Sequence, residues 1–182
     1  MRRVLIIAAL VLSGCVTPTV TKKTTESINF SQFKTVSYRV HASPTTEYGD
    51  DEEAHKYGAD TISLFDSLLS SRLTRMGYRI VPQPESADLN VDVTVNTVKP
   101  GSRAARMWIG FGAGRAVTLF DASFTNPQGG VVASFEGGRS YTGMELNVSP
   151  WAGKSDISAS AATRCVDQIE TFMVNGGSFP KK

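Results

Sequence analysis

The sequence predicts an α+β domain, a mainly antiparallel sheet of about five strands with two amphipathic helices packed on one face. Three observations predict it. Two stretches repeat apolar residues at helical spacing, one stretch alternates strictly with period two, and a Gly-rich turn separates two further strand-like runs.

The elements follow in order. Phe30 to Val40 reads as a strand, with Phe33, Thr35, Ser37 and Arg39 on one face and Lys34, Val36, Tyr38 and Val40 on the other. His41 to Lys56 holds the acids Glu47, Asp50, Asp51, Glu52 and Glu53 without the alternating ligands or glycine of a calcium loop, so it reads as a solvated loop. From Asp60, a plausible N-cap, Ile62, Phe65, Leu69, Leu73 and Met76 recur at gaps of 3, 4, 4 and 3, which places them on one stripe of a helix that Gly77 ends. Tyr78 to Val81 is a short strand stopped by Pro82-Gln83-Pro84, and the helix before it permits a parallel crossover. Leu89, Val91, Val93 and Val95 alternate with Asn90, Asp92, Thr94 and Asn96, so one face of that strand is buried and the other is wet. Ala116 to Phe124 and Val131 to Phe135 form a hairpin about Asn126-Pro127-Gln128-Gly129-Gly130. The last helix runs from about Ser155 to Asn175, where Ala162, Val166, Ile169 and Met173 recur at 4, 3 and 4 before Gly176-Gly177.

The N-terminus reads as an address. Met1-Arg2-Arg3 is cationic, and Val4 to Leu12 is an apolar run of nine residues. As a helix that run extends about 13 Å against a hydrocarbon core of about 30 Å, which suits a secretory signal peptide and not a membrane span. Leu12-Ser13-Gly14-Cys15 resembles the lipobox of bacterial lipoproteins. That resemblance implies that Cys15 becomes the mature N-terminus, with a diacylglycerol on its sulfur and an acyl chain on its nitrogen, and two or more chains anchor stably. Enterobacterial lipoproteins kept at the inner membrane carry Asp after that cysteine, whereas Val16 follows here, so the resemblance implies the periplasmic face of the outer membrane. The organisation expected is therefore a signal peptide over residues 1–14, a lipidated cysteine with a flexible tether of roughly 20 Å over residues 15–29, and a single α+β domain over residues 30–182.

Composition bounds the function. The 182 residues are 41% apolar and 20% charged, which supports one packed domain. Lys and Arg number 19 against 17 Asp and Glu, and loss of Arg2 and Arg3 with the signal leaves the product neutral, so bulk charge gives no argument for nucleic acid. With Cys15 lipidated, Cys165 has no internal disulfide partner and is either buried or reactive; its place in a helical pattern favours burial.

The chemistry-bearing motifs are few. Gly110-Phe111-Gly112-Ala113-Gly114-Arg115 leads into a strand, where a phosphate loop would open a helix with Lys-Ser or Lys-Thr, so the glycines read as a bulge or a close backbone approach. Between Lys99 and Arg115 stand the cations Arg103 and Arg106 with no acid, interleaved with Met107, Trp108, Ile109 and Phe111. Arg103, Arg106, Trp108, Phe111 and Arg115 suit a contact surface for a membrane, an anionic glycan or a protein, the alternative being aromatics folded onto the core beneath wet arginines. His41 and His55 are the two histidines, with no HExxH pair and no G-x-S-x-G elbow, and a dyad of Cys165 with one of them stays open. No cofactor or metal is expected.

The lipobox, the helix ending Arg75-Met76-Gly77-Tyr78, the strand opening Ala87-Asp88-Leu89, the Arg103 and Arg106 pair before Gly110 to Gly114, and Asp121 ahead of the Gly129 turn together resemble the bacterial lipoprotein family called domain of unknown function 4410. The resemblance covers about Phe30 to Met144, and Asn126-Pro127-Gln128-Gly129 replaces the Asp and Thr-Gly turn usual there. It implies fold and location and no established activity. The expectation is a non-catalytic binding or assembly component of the bacterial envelope with a protein partner and no nucleic acid. A small-molecule or glycan binding module and an envelope hydrolase are the alternatives.

Overall fold

The structure, a computed structural model, describes residues 19–22, 27–49, 52–102, 116–141 and 154–180. Its elements are β1 (Thr19–Lys22), a 3-10 turn (Phe30–Gln32), β2 (Thr35–Glu47), α1 (Glu52–Arg75), β3 (Arg79–Ile80), a second 3-10 turn (Pro84–Ser86), β4 (Leu89–Lys99), β5 (Ala116–Thr125), β6 (Val131–Tyr141) and α2 (Lys154–Val174). The strands make one mixed sheet in the order β1-β6-β5-β4-β2-β3. Pairs β1/β6, β6/β5 and β5/β4 are antiparallel, and β4/β2 and β2/β3 are parallel. The fold is α+β as the sequence predicts, with the five expected strands joined by β1.

Thr19–Lys22 lies inside the stretch expected to be a tether, and it pairs with β6 from Thr19 opposite Glu136 to Lys22 opposite Ala133. From Ser27 the chain is again part of the fold, with Ile28 and Phe30 buried in the core. The Thr-rich composition that suggested a coil is equally a strand composition, since β-branched residues fit a pleated surface. Next, Asn29 Oδ1 accepts a hydrogen bond from the Ser31 amide and starts the 3-10 turn, so the strand begins at Thr35 and not at Phe30. Asp88 fixes that start: its carboxylate accepts from the amides of Lys34 at 2.9 Å and Thr35 at 2.8 Å, while Thr35 Oγ1 accepts from the Asp88 amide. These donors hold the Asp88 carboxyl below the usual carboxylate range.

Two expectations about residues 41–60 are corrected. His41 to Glu47 continues β2 in place of a loop, and the pairing with β4 shifts register between Ala42 and Glu47, around Pro44. A shift there is where a strand tolerates a residue that cannot donate to the ladder. Helix α1 begins at Glu52, so Asp60 is no N-cap; it sits inside the helix, paired with Lys56 one turn earlier at 2.8 Å. The acids Glu52 and Glu53 belong to the first turn, where negative charge meets the positive end of the helix dipole. Gly58 lets this segment approach β2, because a Cβ on it would stand 2.2 Å from the Tyr48 ring. The other end is as expected: Gly77 takes φ +92°, its amide donates to Thr74 O at 3.0 Å and that of Tyr78 donates to Leu73 O at 3.2 Å, the double bond of a Schellman cap. Gly176 and Gly177 close α2 by the same pair of bonds, to Met173 O and Phe172 O.

Both helices cover one face of the sheet. That face carries Val36, Leu89, Val91, Val93, Val95, Phe120, Phe124 and Phe135, which pack with Phe65, Leu69 and Leu73 of α1 and Val166, Ile169 and Phe172 of α2. The helices pack against each other, and the buried Thr61 and Ser158 hydroxyls hydrogen-bond across the gap at 2.8 Å. Arg72 adds an ion pair from α1 to Asp167 at 2.9 Å and another to Glu170. Gln168 ties α2 to the sheet, accepting from the Gly138 amide at 2.9 Å and donating to the Gly138 carbonyl at 3.0 Å.

Candidate interaction surface

With both helices on one side, the opposite face of β2, β4, β5 and β6 is mainly polar, with Val117 and Leu119 of β5 on the same parity as Asp121 and Ser123. The β2/β4 pairing sets Ser37, Arg39 and His41 beside Asn90, Asp92 and Thr94. The β4/β5 pairing continues the row, with Thr125 opposite Asn90, Ser123 opposite Asp92 and Asp121 opposite Thr94. Beyond lie Ser134, opposite Ser123, and Glu136, opposite Asp121.

These side chains hold one another in place. The Arg39 guanidinium forks onto Asp92, with Nε at 3.2 Å from Oδ1 and Nη2 at 2.7 Å from Oδ2. His41 stands between Asp92 and Thr94, its Nδ1 3.3 Å from Asp92 Oδ1 and its Nε2 3.4 Å from Thr94 Oγ1. Asn96 Nδ2 donates to Asp121 Oδ2 at 2.9 Å, and Lys99 Nζ to Glu47 Oε2 at 2.7 Å. Asp92 raises the affinity of the Arg39 guanidinium for its proton, and Lys99 holds the Glu47 carboxyl low. Exposed pairs of this kind contribute little to stability, because solvent and salt screen them. What they provide instead is an ordered array of hydroxyl, amide and compensated charged groups, whose chemistry suits hydrogen bonding more than long-range attraction.

The thiol lies on the other side of the sheet. Cys165 is fully enclosed on α2, and burial pushes its pKa up to about 12, so it is a packing residue. His41 is on the outer face and His55 stacks on Tyr48 at the start of α1, ring centroids 4.9 Å apart, so the dyad left open by the sequence is not assembled. Among the described residues no helix is long and apolar enough to cross a membrane, and no three His, Cys, Asp or Glu side chains gather to hold a metal. One concavity, of about 930 Å³, lies at the opposite end from Lys99, where Phe33, Met76, Tyr78, Met173 and Val174 line the gap between the two helix C-termini and the first 3-10 turn.

Cys15 and the predicted contact residues Arg103, Arg106, Trp108, Phe111 and Arg115 lie outside the described residues. The strands flanking the latter are described. β4 ends at Lys99 and β5 begins at Ala116, paired with Tyr141, so the segment leaves and re-enters the sheet at one end through two of its central strands. The Arg39–Asp92–His41 cluster was not legible beforehand, because it depends on a parallel pairing between residues 53 apart. Its signal was the polar parity of Asn90, Asp92, Thr94 and Asn96.

The model of the family described as Domain of unknown function (DUF4410) matches residues 28–143. The chain belongs to the DUF4410 family. A comparison with curated proteins finds no match. Among solved structures, the PelC dodecamer from Paraburkholderia phytofirmans is similar in two crystal forms. One, a single-substitution variant, is 17% identical with a TM-score of 0.44, covering 81% of this chain and 94% of that one. The other is 15% identical with a TM-score of 0.44, covering 91% and 100%. A DUF4136 family protein from Bacteroides thetaiotaomicron is 16% identical with a TM-score of 0.35, covering 87% and 97%. Likeness at this level says nothing of ligand or partner.

Proposed function

We propose that this DUF4410 protein is a lipoprotein, anchored through Cys15 at the periplasmic face of the outer membrane, and that it acts as a non-catalytic binding or assembly component of the envelope. The observation that supports the binding role is the outer face of β2, β4, β5 and β6, on which neither described helix packs and where Asp92 and Asp121 already order neighbouring side chains. A surface whose rotamers are fixed before contact loses less entropy on binding. The segment holding Arg103, Arg106, Trp108, Phe111 and Arg115 joins the ends of β4 and β5 in sequence, and its arginines and aromatics are residue types enriched at interfaces. A protein partner is the principal reading. The half-buried Asn90, Thr94 and Ser123 support a second, a glycan or small molecule held by hydroxyl and amide groups on the same face.

Crosslinking in cells tests the assignment. Thr94→Arg and Ser123→Arg put bulk and charge on the outer face, and Ser63→Arg and Ser67→Arg put them on the solvent side of α1. The outer-face pair is expected to abolish recovery of the crosslinked complex with the melting temperature unchanged, and the helix pair to leave recovery intact. A reproducible protein partner supports the first reading and co-purified carbohydrate the second. Equal recovery from all four variants contradicts both.

A further inference from the structure

We propose that the domain is held directly against the bilayer on a short leash, with the end of the sheet that carries Lys99, Ala116 and Tyr141 turned toward the lipid. The inference deepens the proposed function and rests on the anchor at Cys15. Its partner is the membrane surface itself.

Residues 15–29 would form a long coil if all were free, but Thr19 is paired with Glu136 in the sheet, so its position is fixed relative to the whole domain. Three residues separate Cys15 from Thr19, and the four Cα–Cα steps between them reach about 14 Å when fully extended. The lipidated residue therefore stays within that distance of the β1 edge. Direction follows from the pairing. β1 runs antiparallel to β6, so the chain ahead of Thr19 enters from the side where β6 ends at Tyr141. The turn Asn126–Gly130 and both helix C-termini lie at the other end.

Charge selects the same end. The sequence between Lys99 and Ala116 holds Arg103, Arg106 and Arg115 and no acid, and it starts and finishes there. Among the described residues the acids at this end are Glu47, Glu52 and Glu53 at the corner of β2 and α1, where Glu47 is paired with Lys99, and Asp156 in the first turn of α2. Arg103, Arg106 and Arg115, in the chain that joins the ends of β4 and β5, are of the charge that suits an anionic surface.

The test uses the full lipidated chain in phosphatidylethanolamine and phosphatidylglycerol vesicles that contain a nitroxide-labelled lipid. A fluorophore is placed at Ser102→Cys, beyond β4, or at Gln128→Cys, in the β5–β6 turn; buried Cys165 takes no label. Quenching is expected to be several-fold stronger at residue 102 than at residue 128. Inserting about twelve Gly and Ser residues after Val16, a coil of roughly 20 Å, is expected to remove the difference while the protein still floats with the vesicles. Equal quenching without the insert, or stronger quenching at residue 128, overturns the orientation and leaves the anchor standing. Loss of flotation in the lipidated chain, or full flotation of Cys15→Ala, overturns the anchor and the orientation with it.

Discussion

Phe172→Ala is expected to lower the unfolding free energy by about 3–5 kcal/mol. Phe172 has no exposed surface and stands where α2 meets the sheet. Its ring lies 4.6 Å from that of Phe135 on β6, 5.3 Å from Phe124 on β5, 6.1 Å from Phe30 on the first 3-10 turn and 5.6 Å from Phe179. One truncation thus removes a contact to each element that converges there, and the neighbours, anchored in two paired strands, cannot collapse into the space. Urea denaturation checks this: the midpoint should fall with the slope unchanged. A loss below about 1 kcal/mol would mean that the site relaxes freely and that the aromatic cluster is not the joint between helix and sheet.

Gly138→Ala is expected to cost about 3 kcal/mol or more, through backbone strain together with a clash that no rotamer relieves. Gly138 has φ +149°, and a Cβ there would stand 2.4 Å from Thr118 O and 2.9 Å from Leu119 Cα, both backbone atoms of the paired strand. Relief requires β5 and β6 to separate, and Gln168 resists it by gripping both the amide and the carbonyl of the same residue. Thermal unfolding of the variant checks this, and a melting temperature within a degree or two of the parent contradicts it.

Strong periodicity was legible in the sequence and weak periodicity was not. The stripe of Phe65, Leu69 and Leu73 and that of Ala162, Val166, Ile169 and Met173 are buried as their spacing requires, and Leu89, Val91, Val93 and Val95 face the core as their alternation requires. The first turns of α1 escaped notice because three of the residues buried there, Ala54, Gly58 and Thr61, are small or polar and give no apolar stripe, Gly58 fitting against Tyr48 by shape. An acid-rich start, which suits a helix N-terminus, looks like a loop when judged by polarity alone. The end of β2 was hidden by Pro44 and by the register shift, and β1 by its shortness, since a four-residue strand takes its stability from its partner. The candidate surface divides likewise. Its polar parity was visible on β4, whereas the neighbours that Arg39 and His41 find depend on a parallel register that no local signal specifies.

The lipid on Cys15 is the premise common to the proposed location, the envelope role and the orientation at the bilayer. Intact-mass analysis of the full chain, extracted from the membranes of the producing cells, tests it most directly. The account predicts a polypeptide that begins at Cys15 and carries the added mass of a diacylglyceryl group and an amide-linked acyl chain. A chain that retains Met1, or one that begins at or before residue 15 with the cysteine unmodified, contradicts it.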